Sequence, residues 1–122
     1  MKTTQGEAVK AFGTLTNISK EQVSSMTAYK LFKLKKALST IIEFQSEQEV
    51  TLAEQCGGSV SDDGRLNFPD DESRMLYAAK HKELEEMECE IGHERMKMNL
   101  REIPRLTIQS IELLDPYIDF EE

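Results

Sequence analysis

Long apolar runs, cysteines and phosphate-binding loops are scarce or missing in this chain of 122 residues, and each absence closes off a class of function. No stretch approaches the roughly 18–20 consecutive apolar residues of a membrane span, so no membrane role is expected. The opening "MKTTQGEAVK" lacks the apolar core of a signal peptide, which makes the cytoplasm the default compartment. Cys56 and Cys89 are too few for a disulfide framework, and free thiols suit a reducing compartment. There is no glycine-rich phosphate loop, no His-Glu-x-x-His and no Ser or Cys in a nucleophile setting. "SDDG" has too few correctly spaced acids for a calcium loop. Catalysis is therefore not expected, and no cofactor is implied. With a formal net charge of −8 and a pI near 4.8, the summed field repels polyanions, so nucleic acid is not an expected partner.

What remains is a globular composition, 39% hydrophobic and 31% charged, of a size suited to a single domain over residues 1–122. Val9, Phe12 and Leu15 recur every three residues and predict a short amphipathic helix over about 6–15. "TNISKEQ" then reads as a turn, with Ser19 as N-cap and Gln22 three residues on. From about Lys20 to Cys56 neither Pro nor Gly interrupts a helical composition. Val23, Thr27, Leu31, Leu34, Leu38, Ile41, Ile42, Gln45 and Leu52 fall within one third of that helix's circumference. The result is a long amphipathic helix, roughly 50 Å if unbroken. "CGG" at 56–58 stops it, and Asp63-Gly64 between two short apolar runs signals a hairpin or compact loop. "PDDES" opens a second helix whose stripe is Leu76, Tyr77, Leu84, Met87 and Ile91, ending near Gly92. Alternation at Met96, Met98 and Leu100 predicts a strand over about 94–102, and "SIELLDPYIDF" a helical turn with an extended tail. The fold class is mainly α: a long antiparallel helical hairpin, a short N-terminal helix and a small β element near the C-terminus.

Two features bear on function. "YKLFKLKK" at 29–36 interleaves lysines with apolar residues inside an acidic chain. Leu31 and Leu34 belong to the core stripe, and Lys30 and Lys35 border it, where their stems can cover apolar surface. Tyr29, Phe32, Lys33 and Lys36 fall on the far side. An antiparallel hairpin brings these lysines toward Glu83, Glu85, Glu86, Glu88, Glu90 and Glu94, so the patch reads as internally compensated. Tyr29 and Phe32 still need cover: either the N-terminal helix folds over them, or they form a partner site. Glu85, Glu86 and Glu88 lie off the stripe and are expected to project as a negative ridge, either for a basic partner or for solubility alone.

His81, Glu85, Cys89 and His93 step by four, which on a continuous helix gives a row of metal-capable side chains. A zinc site needs four ligands in a tetrahedron, and one helix supplies two or three at best, so no metal site is assigned. Cys56 and Cys89 should lie too far apart in a hairpin to share a metal or a disulfide.

Taken in order, "GEAVKAFGTLTNIS", "TAYKLFKLKKAL", the "DDG" loop, the acidic second helix and the closing "LLDPYIDFEE" resemble a family of small phage and prophage proteins. The family is known chiefly from Gram-positive bacteria and their phages and is catalogued only as a domain of unknown function. The similarity runs from about Gly6 to Glu122, with a slightly extended N-terminus and more basic residues around Met96–Leu100. It implies a phage-encoded cytoplasmic protein and carries over no catalytic residues. The expected function is protein–protein interaction with a host or phage protein. Self-association through the hairpin as an assembly protein is the alternative, and a small metal-binding protein the second alternative.

Overall fold

The computed structural model describes residues 1–18 and 23–122. Ser19 and Gln22, proposed above as a cap, lie outside the described residues. The long helix, α2 (Ser25–Gln55), follows β1 (Lys2–Thr4) and α1 (Gln5–Ile18). It begins at Ser24, which is extended (φ −62°, ψ 156°) and accepts from the Thr27 amide. It ends as the "CGG" signal requires. Gly57 adopts φ 84° and donates to the Glu54 carbonyl, and Gly58 donates to that of Ala53 at 2.7 Å, a complete Schellman closure.

The stripe along α2 is the one its periodicity predicts. Thr27, Leu31, Leu34, Leu38, Ile41 and Gln45 are buried, Ile42 and Leu52 are half-buried at its borders and Ala53 extends it. Val23, placed on the stripe above, precedes the helix, which starts at Ser25 and not near Lys20. After the hairpin of β2 (Ser59–Val60) and β3 (Leu66–Asn67), α3 (Asp71–Glu86) runs back along α2. Asp70 caps it, accepting from the Ser73 amide at 2.7 Å.

Residues after α3 form β4 (Glu88–Glu90), β5 (Met96–Asn99), a 3-10 turn (Leu100–Glu102), α4 (Ile108–Leu114) and β6 (Ile118–Glu121). β4 pairs antiparallel with β1, setting Thr3 opposite Cys89, and β5 pairs parallel with β6, setting Met96 opposite Ile118. Mainly α with small strands is thus the observed class.

Three expectations about local structure need correcting. The second helix ends at Glu86 instead of continuing toward Gly92, because β1 captures the next residues as a strand partner. Its stripe is accordingly thin. Leu84 is buried and Tyr77 half-buried, whereas Leu76 and Met87 are exposed, and Ile91 is buried after β4, outside any helix. On α1 the buried face is Gln5, Ala8, Ala11, Leu15 and Ile18, with Val9 exposed and Phe12 half-buried. Alanines win there because α1 packs close to its neighbours: a side chain at Gly6 would sit 3.2 Å from the Glu85 Cβ and carbonyl oxygen. The strand expected over about 94–102 covers Met96–Asn99, and the Asn99 side chain then caps the 3-10 turn.

Buried apolar residues from α1, α2, β5, α4 and β6 form one cluster, with Leu15, Leu34, Leu38, Met98, Leu114, Tyr117 and Ile118 fully enclosed. Each such side chain contributes about 1.5–3 kcal/mol on burial. Among the described residues, no helix is long and apolar enough to cross a membrane.

Candidate functional site

Helix lengths decide where the charges meet. α3, at 16 residues, spans about 24 Å, and α2, at 31, about 46 Å, so α3 covers only the C-terminal half of its partner. His81 therefore stands against Gln45 and Glu49, and the acids of 83–94 never reach the lysines of 30–36. One lysine does find an acid in its own chain: Lys30 Nζ is 3.5 Å from Glu102, on the 3-10 turn. Lys35 lies 5.4 Å over the Phe12 ring, with its stem across the α1–α2 seam, as the border position predicts. Lys33 lies 5.4 Å over the ring of Tyr29.

The N-terminal helix does not cover the two aromatics. It lays its small-residue face on the buried side of α2, which leaves Tyr29 58% and Phe32 57% exposed, with Met26 beside them at 68%. The outer face of α2 stays uncovered along its whole length, continuing through Lys36, Thr40, Glu43, Phe44, Glu47 and Val50. A contiguous exposed set of two aromatics and flanking apolar side chains is the kind of patch that marks an interaction site. The C-terminal part of this face escaped the sequence reading. Its signal was present in the order of charges, lysines in one half of the helix and glutamates in the other.

The acidic ridge is less uniform than its spacing suggests. Glu83, Glu86 and Glu88 are exposed, but Glu85 is half-buried, its carboxylate 3.0 Å from His81 Nδ1. Glu49 stands 3.5 Å from His81 Nε2, so carboxylates flank the imidazole on both sides. The buried Gln45 amide, 3.5 Å away through Nε2, leaves its carbonyl oxygen without a partner among the described residues. Exchanging the amide's oxygen and nitrogen would offer that oxygen to the imidazole instead.

The row His81, Glu85, Cys89 and His93 is not brought together. The helix ends before Cys89, which lies on β4 with its thiol donating to the Thr3 carbonyl at 3.5 Å. His93 donates through Nε2 to the Tyr117 carbonyl at 3.1 Å. Burial, with Glu7 adding to it, pushes the Cys89 thiol above its ordinary value, away from the thiolate that metals and electrophiles need. Cys56 is buried at the other end of the hairpin. Among the described residues, no group of three or more His, Cys, Asp or Glu is arranged to hold a metal ion.

An open groove of about 590 Å³ separates α1 from the segment leading into α4, lined among others by Lys10, Gly13, Asn17, Ile103 and Arg105. Arg105 holds a left-handed backbone (φ 63°) at its rim. Among the described residues its wall mixes one lysine and one arginine with amide and apolar groups, and none of them is an acid. The chain matches no family model, no curated protein and no solved structure.

Proposed function

We propose that the protein works without catalysis, as an interaction protein whose docking surface is the outer face of α2. The observation that carries this reading is the exposure of Tyr29 and Phe32 beside Met26 on a helix whose opposite face is fully used by the core. Aromatic side chains supply contact area at low cost in conformational entropy and dominate binding energetics when buried by a partner. Lys33 and Lys36 frame them and favour a partner with acids at matching positions. Glu86, at the end of α3, and Glu88, on β4, form a second, acidic surface.

The resemblance in segment order supports a phage-type accessory protein acting in the host cytoplasm, on a host or phage protein. Immobilised full-length chain exposed to extract of phage-infected cells tests the reading. Capture of a specific protein should fall at least about tenfold on Tyr29→Ala with Phe32→Ala, the loss expected of aromatic anchors. Circular dichroism of the double variant should match the parent. Capture that is indifferent to both substitutions overturns the assignment of this face.

A further inference from the structure

Resting on the outer face of α2 as the docking surface, we propose that its occupant is the same face of a second copy of this chain, laid antiparallel. The order of charges carries the inference. Lys33 and Lys36 are exposed in the N-terminal half of the helix, Glu43 and Glu47 in the C-terminal half. Among the described residues none of these four makes an ion pair.

Their spacing is self-complementary. Lys33 and Glu47 each lie seven residues from Thr40, while Lys36 lies four before it and Glu43 three after. At 1.5 Å per residue these offsets are about 10 Å and about 5 Å on either side of one midpoint. A two-fold axis crossing α2 at Thr40 sets Lys33 against Glu47 of the second copy and Lys36 against its Glu43. Isologous symmetry makes each pairing occur twice. Ser39 and Thr40 at the midpoint are short, which lets the two helices approach to the roughly 8–10 Å of packed helices.

The apolar members extend the match. Phe32 and Val50 are separated by 18 residues, about five full turns, so they share one angular position on the helix. Both are exposed, at 57% and 38%. Lying eight residues before and ten after Thr40, they come on the same side of the antiparallel pair, about two residues or ~3 Å apart along the axis. A parallel arrangement in register would instead stack Lys33 on Lys33.

The helix itself does not account for the segregation. Its dipole favours acids near the N-terminus and bases near the C-terminus, and α2 has neither an acid in its first turn nor a base in its last.

The test is sedimentation of the full chain at about 0.15 M salt, where an ~8 Å screening length mutes the net charge but not contact pairs. Wild type should reach twice its 14.0 kDa mass as concentration rises through the micromolar range. Lys33→Glu with Lys36→Glu, and separately Glu43→Lys with Glu47→Lys, should each weaken self-association at least about tenfold. Mixed in equal amounts, the two variants should pair as tightly as wild type, since every contact is restored in mirror form and the pair's total charge is that of two wild-type chains.

A wild type that stays monomeric up to about 1 mM overturns the proposal. So does a dimer indifferent to both reversals, or reversals that mixing does not rescue. A monomeric wild type that still captures another protein through Tyr29 and Phe32 removes self-pairing alone and leaves the docking face standing.

Discussion

The Glu102 carboxylate accepts from the Thr27 hydroxyl at 3.1 Å, joining residues 75 positions apart in the chain. Its second oxygen accepts from the Asn99 amide at 2.7 Å, and Lys30 stands 3.5 Å away. One side chain thus closes the 3-10 turn and ties it to the first turn of α2.

That clamp gives a pH dependence of definite sign. The Asn99 N–H chiefly, then Thr27 and Lys30, holds the Glu102 carboxyl below its ordinary value of 4.5, with burial opposing them. A lowered folded-state value means stability fully present above the ordinary range and lost as pH falls through the lower one. Glu102→Gln is expected to destabilise by about 1–2 kcal/mol at pH 7, the worth of a charge-assisted hydrogen bond. The difference should shrink as pH falls from 7 to well below the ordinary carboxylate range. Urea denaturation at the two pH values checks this, and a gap that persists in acid contradicts it.

The α1–α2 contact is where small side chains matter most. Ala8 and Ala11 are fully buried, in one cluster with Leu31, Leu34 and Leu38 of α2. Ala11→Leu is expected to cost about 1–3 kcal/mol through overpacking. Leu38→Ala is expected to cost about 3 kcal/mol through the cavity it leaves. Thermal melts followed by circular dichroism compare them. An Ala11→Leu variant at least as stable as wild type would mean that α1 does not sit tightly.

These two residues also show what the sequence could disclose. The stripe of α2 was legible because Leu31, Leu34, Leu38 and Ile41 are large and keep the helical period over several turns. The face of α1 is not legible in the same way, because alanine carries little hydrophobic signal and the larger Val9 and Phe12 point to the other side. The end of α3 was hidden for another reason. Glu86, Met87 and Glu88 suit a helix locally, and only pairing with β1, some 86 positions away, makes a strand of Glu88–Glu90. The outer aromatics of α2 were legible as a conditional: they needed cover, and α1 went elsewhere.

Metal is expected to change nothing. His81 is engaged by Glu85 and Glu49, Cys89 by the Thr3 carbonyl and His93 by the Tyr117 carbonyl, at separate places in the fold. A ligand that binds only the folded state raises its stability with concentration. Excess Zn²⁺ should therefore leave the melting temperature within about 2 °C and give no one-to-one adduct in native mass spectra. A stoichiometric adduct with a raised melting point would establish a metal site.

The glutamates at the end of α3 separate structural from surface acids. The Glu85 carboxylate lies 3.0 Å from His81 Nδ1 and its Cβ packs toward Gly6, so its charge and its bulk both hold α3 in place. Glu86 and Glu88 have no such partner among the described residues and are exposed, Glu88 on the outer side of β4 across from Thr4. Glu85→Gln should lower stability by up to about 1 kcal/mol, since the pair is partly solvated. Glu86→Gln with Glu88→Gln should stay within about 0.5 kcal/mol of wild type, as surface substitutions do. If a basic partner reads this surface, the Glu86 and Glu88 pair of substitutions should reduce its capture and flatten the salt dependence of binding while the melt is unchanged. Capture across a salt series, measured beside the melts, decides the matter. Unchanged capture with unchanged salt dependence would leave Glu86 and Glu88 as a solvated face, with recognition carried by the outer face of α2.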